Sequence, residues 1–145
     1  MARMIFVNLP VADVAAATAF YEAIGFEKNA MFSNEQASAM VWSETIHVML
    51  LSLDFYLTFT DKEIIDAKRT SGALLCLSFD SRADVDAFTD AAIVAGGRET
   101  RDVQDMGFLY SRAFEDLDGH TYEPMYMDMD AAAKAMGGQP EQVPA

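Results

Sequence analysis

The amino-acid sequence predicts an α+β fold built from two βαβββ modules, because the chain contains a repeat of itself. The apolar segment 6–11 reappears 68 positions later as segment 74–79, and Ala19-Phe20 reappears at the same offset as Ala87-Phe88. In each copy, apolar residues in a strand pattern precede a helix-capping residue. A repeat at a fixed offset indicates duplicated halves, and such halves are expected to share one site.

The first module begins with a strand over residues 4–9, in which Ile5, Val7 and Leu9 share one face. Asp13 is a helix N-cap, and its helix is expected to run to about Ile24 and to end at Gly25. Three further strands are predicted near residues 26–32, 37–42 and 46–51.

The connection between the modules carries a capping box. Thr60 and Glu63 have the N-cap and N3 spacing, which predicts a connecting helix over residues 62–68 that ends before Gly72.

The second module repeats the order of elements. A strand over 74–79 precedes Ser81 as a cap, a helix to about Ala95 and the stop signal Gly96-Gly97. Further strands are predicted near 98–103, 107–114 and 120–127. A short Ala-rich helix is expected after Asp130, and a frayed tail from Gly137 onward.

The whole chain, residues 1–145, is therefore predicted to be a single domain. Its parts are a first module over 4–59, a connecting helix over 60–72, a second module over 73–128, and a short helix with a tail over 129–145. The expected architecture is a curved, mixed and mostly antiparallel sheet around a cavity, with the helices on its outer face. Such a cavity is the default place to look for a ligand.

Composition excludes several classes of partner. The chain has 23 acidic and 10 basic residues, a formal charge of −13, and no run of basic residues, so neither nucleic acid nor an anionic membrane is an expected partner. The negative field mildly favours cationic ligands. The N-terminal segment leads directly into a strand pattern, and Cys76 is the single cysteine, so a cytoplasmic location is expected.

Three segments of this sequence resemble the vicinal oxygen chelate superfamily: residues 6–13, residues 19–26, and the turn 114–120 followed by Glu123. This superfamily includes glyoxalases, bleomycin-resistance proteins, fosfomycin-resistance transferases and extradiol dioxygenases. The sequence is most similar to a bacterial subgroup described as predicted lactoylglutathione lyases. The resemblance implies a divalent metal, a small-molecule ligand in the cavity and a homodimer.

The metal ligands that the resemblance implies are incomplete in this chain. The positions that correspond to the family's ligands are Phe6, Met49, Leu74 and Glu123, and of these Glu123 alone carries a suitable donor for a hard or borderline cation. A catalytic zinc site normally has about three protein ligands. A divalent metal is therefore possible, but its usual ligand set is incomplete.

Strand alternation offers other residues for the cavity. His47 shares a face with Met49, and Asn8 shares a face with Phe6, so both are expected to point inward. His47 could join Glu123 as a speculative second metal ligand, although a lone His in an apolar strand is more often a hydrogen-bonded core residue.

A hairpin register suggests a partner for Glu123. If residues 116–119 form a four-residue loop, Arg112 lies opposite Glu123 and Tyr110 lies on the same face. The guanidinium would then occupy the carboxylate, or the pair would orient a substrate. A slip of one residue in the hairpin would move Arg112 to the other face.

Three functions remain open from the sequence. The first is a metal-free protein of the bleomycin-resistance kind that binds a small molecule in the cavity. The second is a metal-dependent lyase of lactoylglutathione-lyase type, with Glu123 as ligand and proton-transfer group. The third is a metal-free enzyme that uses Glu123, Arg112 and His47.

Overall fold

A computed structural model describes residues 2–137 of the chain. The first module forms a four-stranded sheet in the order β1-β4-β3-β2, in which β1 and β4 are parallel. Its elements are β1 (Ile5–Val11), α1 (Val14–Ala23), β2 (Glu27–Lys28), a 3₁₀ turn (Ala30–Phe32), β3 (Ala37–Val41) and β4 (Ile46–Ser52). A four-residue helix, α2 (Leu53–Tyr56), follows directly.

The second module repeats this topology with shorter strands. Its long strand β10 is parallel to β5 on one side and antiparallel to β8 and β9 on the other. Its elements are β5 (Leu74–Ser78), α3 (Arg82–Val94), β6 (Arg98–Glu99), β7 (Gln104–Asp105), β8 (Leu109–Ser111), β9 (Phe114–Glu115) and β10 (Thr121–Met127). A last helix, α4 (Met129–Ala135), lies C-terminal to β10. The predicted α+β class with two βαβββ modules is confirmed.

The predicted helix boundaries of both modules agree with the structure. Asp13 caps α1 by accepting a hydrogen bond from the Ala16 amide, and Ser81 caps α3 by accepting one from the Asp84 amide. Gly25 ends the first helix with a φ of 110°, a conformation that glycine adopts without steric cost.

The predicted connecting helix over 62–68 is wrong. The Thr60 hydroxyl accepts a hydrogen bond from the Lys62 amide at 3.2 Å, which closes a tight turn instead of capping a helix. Residues 60–73 follow a path of turns and bends, which we call the connecting segment. The segment offers only Ile64 and Ile65 as large apolar side chains, too few for an apolar helical face.

The predicted strand over 98–103 is reduced to β6, with β7 beyond its predicted end, and the predicted strand over 107–114 is divided into β8 and β9. The hairpin before β10 pairs Glu115 with Thr121 and Phe114 with Tyr122, so its loop has five residues, Asp116 to His120. The predicted loop of residues 116–119 was one residue too short. The expected tail after Gly137 lies outside the described residues.

A single aromatic-rich core joins the two modules. Tyr21 of α1 contacts Tyr122 of β10 at 5.9 Å between ring centroids, and Trp42 contacts Phe79 and Phe88 at 5.6 and 5.2 Å. Both helices therefore pack on the sides of the sheets that carry these residues. We call the opposite side of each sheet its helix-free face. None of the helices within residues 2–137 is long and apolar enough to cross a membrane.

Candidate functional site

A cavity of about 570 Å³ lies at the junction of the two modules. Strand β1, strand β5 and the loop before β10 form one wall, and the connecting segment forms the other. The wall residues include Asn8, Pro10, Leu75, Arg98, Thr100, Glu115, His120 and Thr121, and the connecting segment contributes Thr60, Lys62, Glu63, Ile65, Lys68, Arg69 and Thr70. A cavity of this size can hold a small organic ligand.

The connecting segment packs closely on the loop before β10 at Gly119. A Cβ atom at this position would lie 2.6 Å from both the carbonyl carbon of Ala67 and the amide nitrogen of Lys68. Gly119 also has a φ of 94°, in the region that favours glycine. The sequence therefore permits the segment to approach the loop because this position has no side chain.

A buried carboxylate organises the same loop. Asp116 Oδ1 accepts hydrogen bonds from the amides of Asp118 at 2.9 Å and His120 at 3.0 Å, and Oδ2 accepts one from the Tyr21 hydroxyl at 2.7 Å. The single hydroxyl hydrogen of Tyr21 is used there, so Tyr122 donates to the Tyr21 oxygen at 3.0 Å. Burial raises the pKa of all three groups.

Two further bonds fasten this loop to the first module. The Nε2 of His120, 8% exposed, donates to the Pro10 carbonyl at 2.7 Å, and the Ala12 amide donates to Asp118 Oδ1 at 2.8 Å. His120 thus forms a hydrogen bond across the module junction. This loop, which forms part of the cavity wall, is therefore tied to the first module by one buried and one exposed hydrogen bond.

The predicted cavity residues of the first module share one face, as strand alternation required. Phe6 lies opposite His47 across β1 and β4, and Asn8 lies opposite Met49. The rings of Phe6 and His47 stack with centroids 4.5 Å apart, and His47 Nε2 lies 3.1 Å from the Glu44 carbonyl. All four belong to the helix-free face, and Asn8 is the one that lines the cavity.

In the second module, Glu123 lies opposite Cys76 across β10 and β5, on the same face as Leu74 and Thr121. Thr121 lines the cavity. The guanidinium near Glu123 comes from Arg101, whose Nη2 lies 3.3 Å from Glu123 Oε2 and donates to Ser111 Oγ at 2.9 Å. Arg101 was missed because the break between β6 and β7 hides its orientation from strand alternation.

The predicted pairing of Arg112 with Glu123 is wrong, and the cause is the length of the hairpin loop. The pairing of Ser111 with Met125 places Arg112 beside Pro124, one residue away from the predicted register. A shift of one residue turns a side chain to the other face of the sheet. Arg112 therefore points toward α3.

Arg112 instead forms the centre of a charged cluster. Its guanidinium donates to Glu99 at 2.9 Å and to Asp86 and Asp90 at 3.0 Å each. The hydrogen bond to Glu99 is the largest of the causes that raise the pKa of Arg112. Tyr110 shares this face and donates to Asp86 at 2.7 Å. Neither Arg112 nor Tyr110, both predicted to point into the cavity, belongs to the helix-free face.

The residues around Glu123 do not fit a divalent metal. Within residues 2–137, no three His, Cys, Asp or Glu side chains come close enough together to hold a metal ion. A catalytic zinc site needs about three such ligands. The Glu123 carboxylate is engaged by Arg101, and burial and the Glu123 charge raise the pKa of the facing Cys76 thiol.

Residues 3–41 match the family described as bleomycin resistance protein-like N-terminal. A search of curated proteins finds no match. Among solved structures, the chain is similar to hypothetical protein SA1046 from S. aureus, with 21% identity and a TM-score of 0.73 over 87% of this chain and 94% of that chain.

Two further structures have informative names. A glyoxalase/bleomycin resistance protein/dioxygenase family enzyme from Burkholderia phytofirmans PsJN has 17% identity and a TM-score of 0.72 over 88% of this chain and 100% of that chain. A glyoxalase-related enzyme from Fulvimarina pelagi has 16% identity and a TM-score of 0.71 over 87% and 88%. These structures confirm the predicted fold, and the family match within residues 3–41 agrees with the resemblance stated from the sequence.

Proposed function

We propose that this protein binds a small organic molecule in the cavity at the module junction, without the divalent metal centre of its superfamily. The observation that carries the proposal is the cavity itself, which has about 570 Å³ and draws its lining from both modules and from the connecting segment. Ligand sites favour such concave junctions. The buried hydrogen bonds of His120 and Asp116 indicate that the loop before β10, which forms part of the cavity wall, is preformed.

A metal-dependent lyase centred on Glu123 has less support. Its carboxylate faces the Arg101 guanidinium, and like-charge repulsion opposes a dication beside that group. We therefore propose ligand binding and no reaction at Glu123. We expect protein incubated with nickel or zinc and then desalted to retain well under one metal per chain by elemental analysis.

The proposal includes a homodimer and a cytoplasmic location. The superfamily resemblance favours a dimer, and large apolar side chains on the helix-free faces support it, since Phe6 is 53% and Leu74 is 57% exposed. Sedimentation equilibrium tests the dimer, and a monomer at high protein concentration would contradict it. The single Cys76 is consistent with a reducing compartment.

A thermal-shift screen of chemically diverse small molecules tests the binding function. Asn8→Phe and Thr121→Phe each add volume to a residue that lines the cavity. Compounds that raise the Tm of the original protein are expected to lose this effect in both variants, because a filled cavity cannot bind them.

Met49→Phe is the matched control, because Met49 belongs to the helix-free face outside the cavity lining. It should fold and keep the Tm shifts of the original protein. Shifts that survive in Asn8→Phe and Thr121→Phe but disappear in Met49→Phe would move the site to the part of the helix-free face around Met49, outside the cavity lining. A screen in which no compound raises the Tm would overturn the proposal.

A further inference from the structure

We infer that the ligand of this cavity is an amphipathic organic anion, with a carboxylate, phosphate or sulfonate group bound by the connecting segment. This inference rests on the proposed function, since it assigns a chemical class to the same cavity. It departs from the expectation from net charge, which favours cations. The three residues assigned to the anion are Lys62, Lys68 and Arg69.

The distribution of basic residues is the first observation. Of the 10 Lys and Arg residues in the sequence, four line this cavity: Lys62, Lys68, Arg69 and Arg98. Three of them lie within residues 62–69 of the connecting segment, and the fold brings Arg98 of β6 next to that segment. A protein with a formal charge of −13 thus concentrates its cations around its junction cavity. Such a local excess attracts anions against the overall field.

The acidic residues of the lining leave this excess in place. Glu115 is paired with Arg98, whose Nε lies 3.0 Å from Glu115 Oε1. Glu63 is then the one remaining carboxylate of the lining, against Lys62, Lys68 and Arg69. Nearby Asp66 uses its Oδ1 to accept a hydrogen bond from the Lys68 amide at 3.2 Å, which shapes the turn of the segment.

The remaining lining suits the uncharged part of such a ligand. Ile65, Tyr56 and Leu75 contribute apolar surface, and Thr121 and Thr100 contribute hydroxyl groups. Apolar lining with a few convergent charged groups is typical of sites for small organic molecules. An ammonium or guanidinium group near such a wall interacts more strongly with an anion than it does in bulk water.

Two fluorescent probes test the inference. 8-Anilinonaphthalene-1-sulfonate and N-phenyl-1-naphthylamine share the same ring system, and the first adds a sulfonate. We expect the original protein to bind the sulfonate probe with a Kd at least about tenfold lower than that of the neutral probe. Binding of the sulfonate probe should weaken as salt is raised, because the contacts are partly exposed.

Two triple variants separate the local effect from net charge. Lys62→Gln, Lys68→Gln and Arg69→Gln together remove the proposed anchor. Arg3→Gln, Lys28→Gln and Lys134→Gln together remove the same formal charge from residues outside the cavity lining. The anchor variant should bind both probes with similar Kd values, and the control variant should keep the preference of the original protein.

The outcomes distinguish the inference from the proposed function. Equal binding of both probes by the original protein, lost in Asn8→Phe, would overturn the anionic class and leave the binding function standing. An equal loss of preference in both triple variants would also overturn the inference, because net charge would explain it. Binding of both probes that persists in Asn8→Phe and Thr121→Phe would contradict the cavity itself.

Discussion

The two modules of this chain have the same topology but are stabilised differently. Within residues 2–137, every ion pair joins side chains of the second module, between Arg82 and Glu123. The helix-free face of the first module instead presents the stacked pair of Phe6 and His47. The duplicated backbone has therefore been kept while the interactions that hold it have diverged.

The strands differ in the same way. In the first module β3 and β4 run unbroken, with five and seven residues. In the second, β10 matches β4 with seven residues, whereas the counterpart of β3 is divided into β8 and β9 and the counterpart of β2 into β6 and β7. Arg101 and Arg112 lie at these interruptions and carry the charged contacts. The regular module supplies a neutral wall to the cavity, and the interrupted one supplies charge and the fastening loop.

The largest effect is expected at Arg112, the centre of the charged cluster. Its side chain is 11% exposed, and its removal would leave Glu99, Asp86 and Asp90 facing one another. Arg112→Leu should lower the free energy of unfolding by about 3 kcal/mol, measured by urea denaturation.

Arg82→Leu is the matched control within the same module. The Arg82–Asp105 ion pair has side chains that are 42% and 48% exposed, so solvent screens it. Arg82→Leu should therefore lower the free energy of unfolding much less than Arg112→Leu does. Equal losses for Arg82→Leu and Arg112→Leu would reject Arg112 as the organising residue.

The next effect concerns the loop that joins the modules. Asp116→Ala strands two amides and the Tyr21 hydroxyl, and should cost about 2.5 kcal/mol in urea unfolding. Asp116→Asn keeps an acceptor for the amides and should cost less. The corresponding loop of the first module should tolerate Glu44→Ala, because Glu44 contributes its backbone carbonyl to the contact with His47. A comparable loss in Glu44→Ala would remove this difference between the modules.

A smaller loss is expected when the loop gains a methyl group. Gly119→Ala combines a positive φ with contact to Ala67 and Lys68, and should cost about 2 kcal/mol while exposing the connecting segment to protease. Gly107→Ala isolates the conformational part, since Gly107 has a φ of 81° and open space around its Cβ position. If both variants resist protease equally, the connecting segment is not held by the loop.

The smallest effect is a change in the reactivity of Cys76. Burial and the Glu123 carboxylate raise the pKa of this thiol, and Arg101 lowers it. Because the thiolate is the reactive form, Glu123→Gln should move the pH profile of iodoacetamide alkylation downward and Arg101→Gln should move it upward. Alkylation profiles that coincide in the two variants would show that neither group faces Cys76.

The elements that the sequence predicted are those set by local chemistry. Asp13, Ser81 and Gly25 mark helix ends through bonds to adjacent backbone, so the sequence locates them. The Thr60 capping box failed because its few apolar residues could not support a helix, and Thr60 closes a turn instead.

The site depended on contacts that sequence spacing does not encode. One extra residue in the hairpin loop turned Arg112 away from Glu123, and Arg101 came near Glu123 from a different strand region. The sequence has no run of basic residues, yet the connecting segment and β6 bring four of them to one cavity. That the family's metal-ligand set is incomplete could be read from the sequence, because residue type alone shows that Phe6, Met49 and Leu74 lack a suitable donor atom.

Nuclear Overhauser contacts between bound 8-anilinonaphthalene-1-sulfonate and methyl groups of the protein would show directly whether the ligand binds at the module junction. Ile65, Ala73 and Thr121 line the cavity, whereas Met49 and Leu74 belong to the helix-free faces outside its lining. We expect contacts from the probe ring protons to Ile65, Ala73 and Thr121. Contacts to Met49 and Leu74 instead would contradict a ligand site at the module junction.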